Sequence, residues 1–327
     1  VAPSFLRVGQ IELFARRVRN NAHDEALNEL KMIVQHLIDR NYKDEIEYKI
    51  SLESKVIKLA SLYRSRLISL VANWMRVGYC QGNFNSDNCA AGGYTLDYGP
   101  FGFCELFDPS FQPWTGGGDH FSFFNQPYAA EANFNMYLKS ILPLLKGNQN
   151  SLEEIDYIKQ HFSKVMKDKI DSMWARKLGL KKIDENLLGE LLKLMIISKA
   201  DYTIFFRKLS NVPTNIEPLK ESFYIPCSES IDSLWKNWLQ KWLYSIKKEE
   251  FIEKVSSEMK MINPRFTWRE WLIVPAYEKA ERGDFSDLKL LQDVFSNPYE
   301  KQSQMVENKF NRLKPKEFFN AGGISHY

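Results

Sequence analysis

The sequence predicts a mainly α protein, α+β overall, in which one glycine-rich loop segment interrupts a helical chain. Three observations carry this. Apolar residues recur at helical spacing over long stretches before Gly78 and after Ala129. Nine of the chain's 16 glycines fall between Gly78 and Gly118, where that periodicity disappears. The second half is almost continuously helical in texture.

Taken in order, "VAPSFLRVGQ" reads as a short extended lead-in. "IELFARRVRN" follows as a helix with Ile11, Leu13, Phe14 and Val18 on its apolar face. A second helix spans about Ala22 to Asn41, with Leu27, Leu30, Val34, Leu37 and Ile38 on one side. The charged run "DRNYKDEIEYK" is a surface connection. A long helix covers about Ser54 to Val77, its stripe of Val56, Leu59, Tyr63, Leu67, Leu70 and Trp74 reading as core. Beyond the loops, helices are expected at roughly 152–178, 185–198, 231–246, 249–261 and 268–282. Trp235, Trp238, Trp242 and Ile246 share one helical face and read as packing rather than a groove for a partner. The stretch from Asn308 to Tyr327 reads as a loosely held tail.

Composition excludes several classes. Lys and Arg total 44 against 41 Asp and Glu, so a net charge of +3 gives no basic field for nucleic acid. Cys80, Cys89, Cys104 and Cys227 form no C-x-x-C pair, which argues against zinc or a disulfide framework and for reduced, mostly buried thiols. No apolar run reaches the ~18 residues of a membrane span, and no signal peptide is visible. An intracellular protein with no membrane and no nucleic-acid partner is expected. Val1 is not Met and opens directly into a structured motif, so the sequence is expected to start inside a longer protein.

The segment Val77–Pro109 carries the chemistry. It gathers Asn83, Asn85, Asp87 and Asn88 in one short loop, with Asp97 ten residues after Asp87. "GGYTL" between them suits a short strand or hairpin arm that would return Asp97 to the end where Asp87 lies. Two carboxylates and an amide oxygen so gathered suit a hard cation such as Mg²⁺. Taken alone, the cluster reads better as a set of turns than as a metal site, because Asn and Asp bond their own backbone. A calcium loop beginning at Asn83 fails, since its sixth and twelfth positions are Asn88 and Tyr94 instead of Gly and Glu. A protein kinase places H-R-D-x-x-x-x-N before D-F-G. Setting that Asn on Asn88 puts D-F-G on Asp97-Tyr98-Gly99, but H-R-D becomes Gln81-Gly82-Asn83. The pattern favours a repurposed kinase fold over an orthodox kinase. The glycines of "PWTGGGDHF" lack the G-K-[ST] of a phosphate loop and read as a flexible loop.

The ordered motifs "QGNFNSDN", "TLDYGPFGF" and "LFDP" resemble those of the selenoprotein O family, also called YdiU-like, whose loops run H-G-x-x-N-T-D-N, D-Y-G-P-[FY]-G-F and F-D-P. "VAPSFLRVGQIELFA", "NPRFTWREWLIVPAYEKAERGDFSDL" and "NPYEKQ" extend the resemblance to about Gln302. It implies a protein-kinase-like C-lobe over 1–146, bearing the catalytic and metal-binding loops, then an all-helical extension over 147–327. It implies a protein adenylyltransferase that binds ATP flipped relative to kinases and passes AMP to Ser, Thr or Tyr hydroxyls of protein substrates. Asp87 would be the catalytic base. Asn88 and Asp97 would hold Mg²⁺, with Mn²⁺ as the alternative ion. Asp97 and Arg7 would contact ATP. The family's loop His is Gln81 here and its Thr is Ser86, neither of which carries the base role. The glycine-rich nucleotide segment, N-lobe Lys and acidic partner of the family would precede Val1. The family's compartment is mitochondrial in eukaryotes and cytoplasmic in bacteria. The competing reading is a non-catalytic, pseudokinase-like scaffold, motivated by the missing N-lobe and the large helical half.

Overall fold

The computed structural model describes residues 2–96, 98–114, 116–247 and 251–319. It is 63% helix and 4% strand, as the periodicity predicts. The chain divides into two compact units that alternate along the sequence. One comprises Val1–Ala72, Asn83–Gly99 and Asn125–Lys169; the other comprises Asn73–Gly82, Pro100–Phe124 and Ile170–Tyr327.

In the first unit, α1 (Val8–Arg19) buries Val8, Ile11 and Ala15. It packs against α2 (Ala26–Leu37) and α4 (Gln126–Ile141). The register follows the helical repeat: Ala26, Leu30, Val34 and Leu37 of α2 face inward at intervals of three and four. A π turn, Ile38–Tyr42, then buries Ile38 and Tyr42. The long helix α3 (Leu52–Val77) contributes Val56, Leu59, Tyr63 and Leu67 to the core. Tyr63, Phe134 and Tyr137 with Phe162 form an aromatic cluster, with centroids 4.6 Å apart for Tyr63–Tyr137 and 4.9 Å for Phe134–Phe162.

The expected helix over 152–178 is two helices, α5 (Gln149–Gln160) and α6 (Phe162–Lys177), broken at His161. Neither Gly nor Pro marks the break, so apolar periodicity runs straight across it. The His161 backbone N–H closes α5 on Tyr157 O, and its ring nitrogen Nδ1 lies 2.8 Å from the same carbonyl.

The second unit holds the only strands among the described residues. β1 (Tyr79–Gln81) pairs antiparallel with β2 (Phe101–Phe103), Cys80 opposite Gly102. The strand expected in "GGYTL" is absent. Gly93 has φ +76° and closes a turn on Ala90 O, which breaks an extended run there. The pairing instead brings Tyr79 against Phe101 and Phe103, with centroids 5.6 and 5.5 Å away.

Helices then build the core of this unit. They are α7 (Glu185–Ile197), α8 (Tyr202–Leu209), α9 (Glu217–Lys220), α10 (Glu229–Lys247), α11 (Ile252–Ile262), α12 (Glu270–Glu281), α13 (Ser286–Ser296) and α14 (Gln304–Phe310). Asp184 and Asp201 cap α7 and α8 through their carboxylates. The tryptophan stripe of α10 is packing, as expected. All three indoles are buried, and their N–H groups donate to Ser198 Oγ, Leu187 O and Leu178 O at 2.7–2.9 Å. The expected tail is tied down as far as it is described. Phe310 is buried, Phe318 packs on Trp271, and Lys314 N donates to Tyr224 Oη. All four cysteines are free thiols, three of them buried.

Buried Arg269 and Lys177 of this unit are hydrogen-bonded, Arg269 as part of a charge pair. Arg269 donates to both oxygens of Asp201, at 2.7 and 3.0 Å, and to Glu105 Oε2 at 2.6 Å; Trp271 Nε1 bonds the same Glu105 oxygen. Lys177 donates to Arg76 O and Asn263 Oδ1 and lies over the Phe206 and Tyr202 rings. Burial pushes its pKa well below the ordinary lysine range.

Two predictions follow from this pairing. Arg269→Met strands two carboxylates and should cost about 3–5 kcal/mol, measured as a lower urea midpoint at unchanged slope. The second concerns acid. Burial tends to raise the Glu307 carboxyl, but bonds from Arg265, Asn311 and Gln302 outweigh it and hold the group below its ordinary 4.5. Asp287, bonded by Lys279 and Lys309, is likewise held below 3.8. The unfolded chain therefore takes up these protons first as pH falls. The stability the two groups contribute is present above those ordinary values and is lost as pH drops through the folded ones. A Glu307→Gln variant should show a flatter decline of urea midpoint between about pH 6 and about pH 3.

Candidate functional site

The extended residues Ser4–Arg7 and the start of α1, Val8 and Gly9, lie along the loop Ser86–Tyr94. Tyr94 Oη donates to Ser4 O, and Ala91 N donates to Leu6 O at 2.9 Å. Arg7 and Ala90 form an antiparallel bridge. Val8 N and Gly9 N donate to Cys89 O and Ser86 O, both at 3.0 Å. These last two donors belong to the first turn of α1, where backbone N–H groups have no partner within the helix. Arg7 N is taken up by the Gln10 side chain at 3.0 Å.

The loop's own shape is turn chemistry, one of the two readings open from sequence. Asn85 Oδ1 accepts from Asp87 N and Asn88 N at 2.9 and 3.2 Å, an Asx turn that sets both backbones. Asn88 Nδ2 donates to Asn83 O at 2.9 Å. That leaves Asn88 Oδ1 with no hydrogen bond among the described residues. The Asp87 carboxylate is exposed and likewise accepts no hydrogen bond among them. Arg7 is half-buried, and its Nε is buried without a partner among the described residues. A buried guanidinium N–H without an acceptor is costly unless an oxygen arrives to receive it.

Three of the four expected site residues are therefore gathered: Arg7, Asp87 and Asn88 sit within a few residues of one backbone junction. Asp97 lies outside the described residues. The donor set present suits Mg²⁺, which takes one or two protein oxygens and fills its shell with water and phosphate. Asn88 Oδ1, a neutral oxygen, and the carboxylate of the preceding residue, Asp87, accept no hydrogen bond among the described residues. No group of three or more His, Cys, Asp or Glu that could hold a metal occurs among the described residues, and such a site does not need one. Gln81, at the position of the family's loop His, lies in β1 and accepts from Tyr79 Oη. Of the triple glycine, Gly117 N bonds Trp114 O and Gly118 O accepts from Gln112, which is ordinary turn geometry.

Several supporting residues escaped the sequence reading. Asn133, buried on α4, donates Nδ2 to Phe84 O at 2.8 Å and pins the start of the loop. An amide on the face that also buries Ala129, Ala130, Phe134 and Tyr137 was the available signal. Tyr42 Oη donates to Ala91 O at 2.8 Å. Cys89 Sγ lies 3.2 Å from Tyr63 Oη, and burial, eased by that bond, pushes its thiol up to about 12. The thiol is thus a buried spacer and no nucleophile. Gly9 also went unnoticed.

Asn133→Ala should strip Phe84 O of its buried donor at a cost of about 1–3 kcal/mol. The expected readout is faster hydrogen exchange at the Asp87 and Asn88 amides, with a lower melting temperature.

Comparison with known proteins gives this site its context. Residues 1–296 match the family described as protein adenylyltransferase SelO. Proteins named protein nucleotidyltransferase YdiU are similar throughout. That of Aromatoleum aromaticum is 30% identical over 338 residues, covering 99% of this chain and 61% of the relative. That of Flavobacterium johnsoniae is 31% identical over 320 residues, covering 93% and 58%. The Rhodopirellula baltica protein is 28% identical over 330 residues, covering 92% and 59%. The chain spans about three-fifths of the length of these relatives. A match over residues 1–296 includes the α1–loop junction and nearly all of the helices that follow, and on it the chain belongs to the protein adenylyltransferase SelO family.

Proposed function

We propose that this chain carries the catalytic loop of a Mg²⁺-dependent protein adenylyltransferase, with a kinase-like C-lobe over 1–146 and a helical extension over 147–327. ATP is the nucleotide substrate and a Ser, Thr or Tyr hydroxyl of a target protein the acceptor. The observation that carries this reading is the junction of Ser4–Gly9 with Ser86–Tyr94. Within a few residues of that backbone junction, the Asp87 carboxylate, Asn88 Oδ1 and the buried Arg7 Nε have no hydrogen-bond partner among the described residues.

In the reaction, the acceptor hydroxyl oxygen attacks the α-phosphorus of ATP. Its proton passes to the Asp87 carboxylate. The bond between the α-phosphorus and the bridging oxygen breaks, pyrophosphate leaves, and AMP remains on the acceptor. Asp87 is suited to the base role because it is exposed and has its backbone, but not its carboxylate, engaged. Arg7 Nε would donate to a phosphate oxygen, a charge-assisted bond. Asn88, and Asp97 by the family motif, would hold the metal ion. When bound, Mg²⁺ supplies charge neutralisation at the phosphate oxygens. Among the described residues, no helix is long and apolar enough to cross a membrane.

The test is incubation of the full-length protein with ATP labelled at the α- or the γ-phosphate. Retention of α label is expected on the acceptor, and loss of about 10²–10⁴-fold in Asp87→Ala with Mg-ATP binding kept. Retention of γ label alone would point to a kinase. Absence of Mg-ATP binding would favour the scaffold.

A further inference from the structure

We propose that Gly9 is a positioning residue for Asp87, because its missing side chain makes the space in which the Asp87 carboxylate rests against the first turn of α1. This rests on the reading of Asp87 as the base. A Cβ built on Gly9 would stand 2.1 Å from Asp87 Oδ1, 3.2 Å from Asp87 Cγ and 3.2 Å from Ser86 Oγ. An ordinary carbon–oxygen contact is about 3.3–3.6 Å. The carboxylate therefore occupies the place where any other residue's Cβ would be.

Nothing else at position 9 calls for glycine. Its φ is not in the left-handed region, and glycine in a helix is among the weakest helix formers. Its amide bond to Ser86 O would be made by any residue except proline. The three nearest neighbours of the added Cβ are all side-chain atoms, so the backbone has no cause to shift. Val8 N–Cys89 O and Gly9 N–Ser86 O hold helix and loop together on either side. The part free to move is the carboxylate, which has no hydrogen bond among the described residues to anchor it. Asn85 sets the Asp87 backbone, and Gly9 sets the region its carboxylate can enter. Displacing a reacting group by about 1 Å can cost about 10²-fold in rate.

The inference separates stability from turnover. Full-length wild type, Gly9→Ala, Asp87→Asn and the double variant would be compared with Mg-ATP and dephosphorylated casein as the hydroxyl-bearing probe. The measurements are α-label transfer, pyrophosphate release and melting temperature. Gly9→Ala should lower kcat by about 30–100-fold, keep KM for ATP within about two-fold, and melt no lower than wild type because alanine favours the helix. In the Asp87→Asn background, Gly9→Ala should change the residual rate by less than about two-fold, since the two act through one carboxylate. Wild-type kcat in Gly9→Ala, independent multiplication of the two losses, a matching rise in KM, or a clearly lowered melting temperature would each overturn the role of Gly9 while Asp87→Asn remained inactive. An Asp87→Asn variant as active as wild type would overturn the base assignment and the inference together.

Discussion

The hydrogen-bonded seam between Ser4–Gly9 and Ser86–Tyr94 is the constraint on which the site depends. A helix begins with amides that its own turns cannot satisfy, and a loop rich in Asn and Gly carries carbonyls that no ladder satisfies. Here each supplies the other. Val8 N and Gly9 N close on Cys89 O and Ser86 O, and the Arg7–Ala90 bridge sets the register. A slip of one residue would break the Arg7–Ala90 pairing and carry Gly9 out from under Asp87. The apolar anchors of α1, Val8 and Ile11, fix the helix to α2 and α4, so the seam inherits the rigidity of the core. Asn133 and Tyr42 fasten the loop at Phe84 and Ala91, on either side of the exposed acid.

Polar groups with complete hydrogen bonding stand apart from those left open at the loop. In the second unit, Arg269 meets Asp201 and Glu105, Lys177 meets two oxygens, and every indole of the α10 stripe has an acceptor. Such groups specify packing. In the first unit, Arg7 Nε is buried and unpaired, and the Asp87 carboxylate and Asn88 Oδ1 accept nothing among the described residues. On the proposed reading, these open groups at the seam are those that substrate and ion complete.

Much of the fold was legible because long amphipathic helices declare themselves through period. Val56, Leu59, Tyr63 and Leu67 of α3, and the α10 tryptophans, face inward as read. The reading failed where tertiary contact outweighed local pattern. The α5–α6 break at His161 carries no breaker residue, and the supposed strand in "GGYTL" gives way to the turn at Gly93. Asn308–Phe319 looked like tail because its aromatic partners, Trp271 and Tyr224, are distant in sequence. At the candidate site, Asp87 and Asn88 stand out in the sequence as part of an Asn/Asp cluster, and Arg7 is singled out only by the family motif. Gly9 and Asn133 do not stand out, since their roles exist only through the atoms they meet across the fold. A glycine in an amphipathic helix looks like a mild defect until the carboxylate above it is seen.

The near-neutral charge of +3 acquires a physical meaning in this setting. A broad basic surface would hold a nucleotide in many poses, because a diffuse field attracts without orienting. On the proposed reading, orientation is the catalytic quantity: the α-phosphorus must present itself to an acceptor hydroxyl and to Asp87. A single guanidinium N–H, a neutral amide oxygen and a carboxylate seated over a glycine are directional groups on a seam that does not slide. The choice of Asn at position 88 fits the same logic. A carboxylate there would add a like charge next to Asp87 and oppose the arriving phosphates, whereas an amide oxygen can hold a cation at no cost in net charge. Its amide nitrogen, bonded to Asn83 O, fixes which face the oxygen takes.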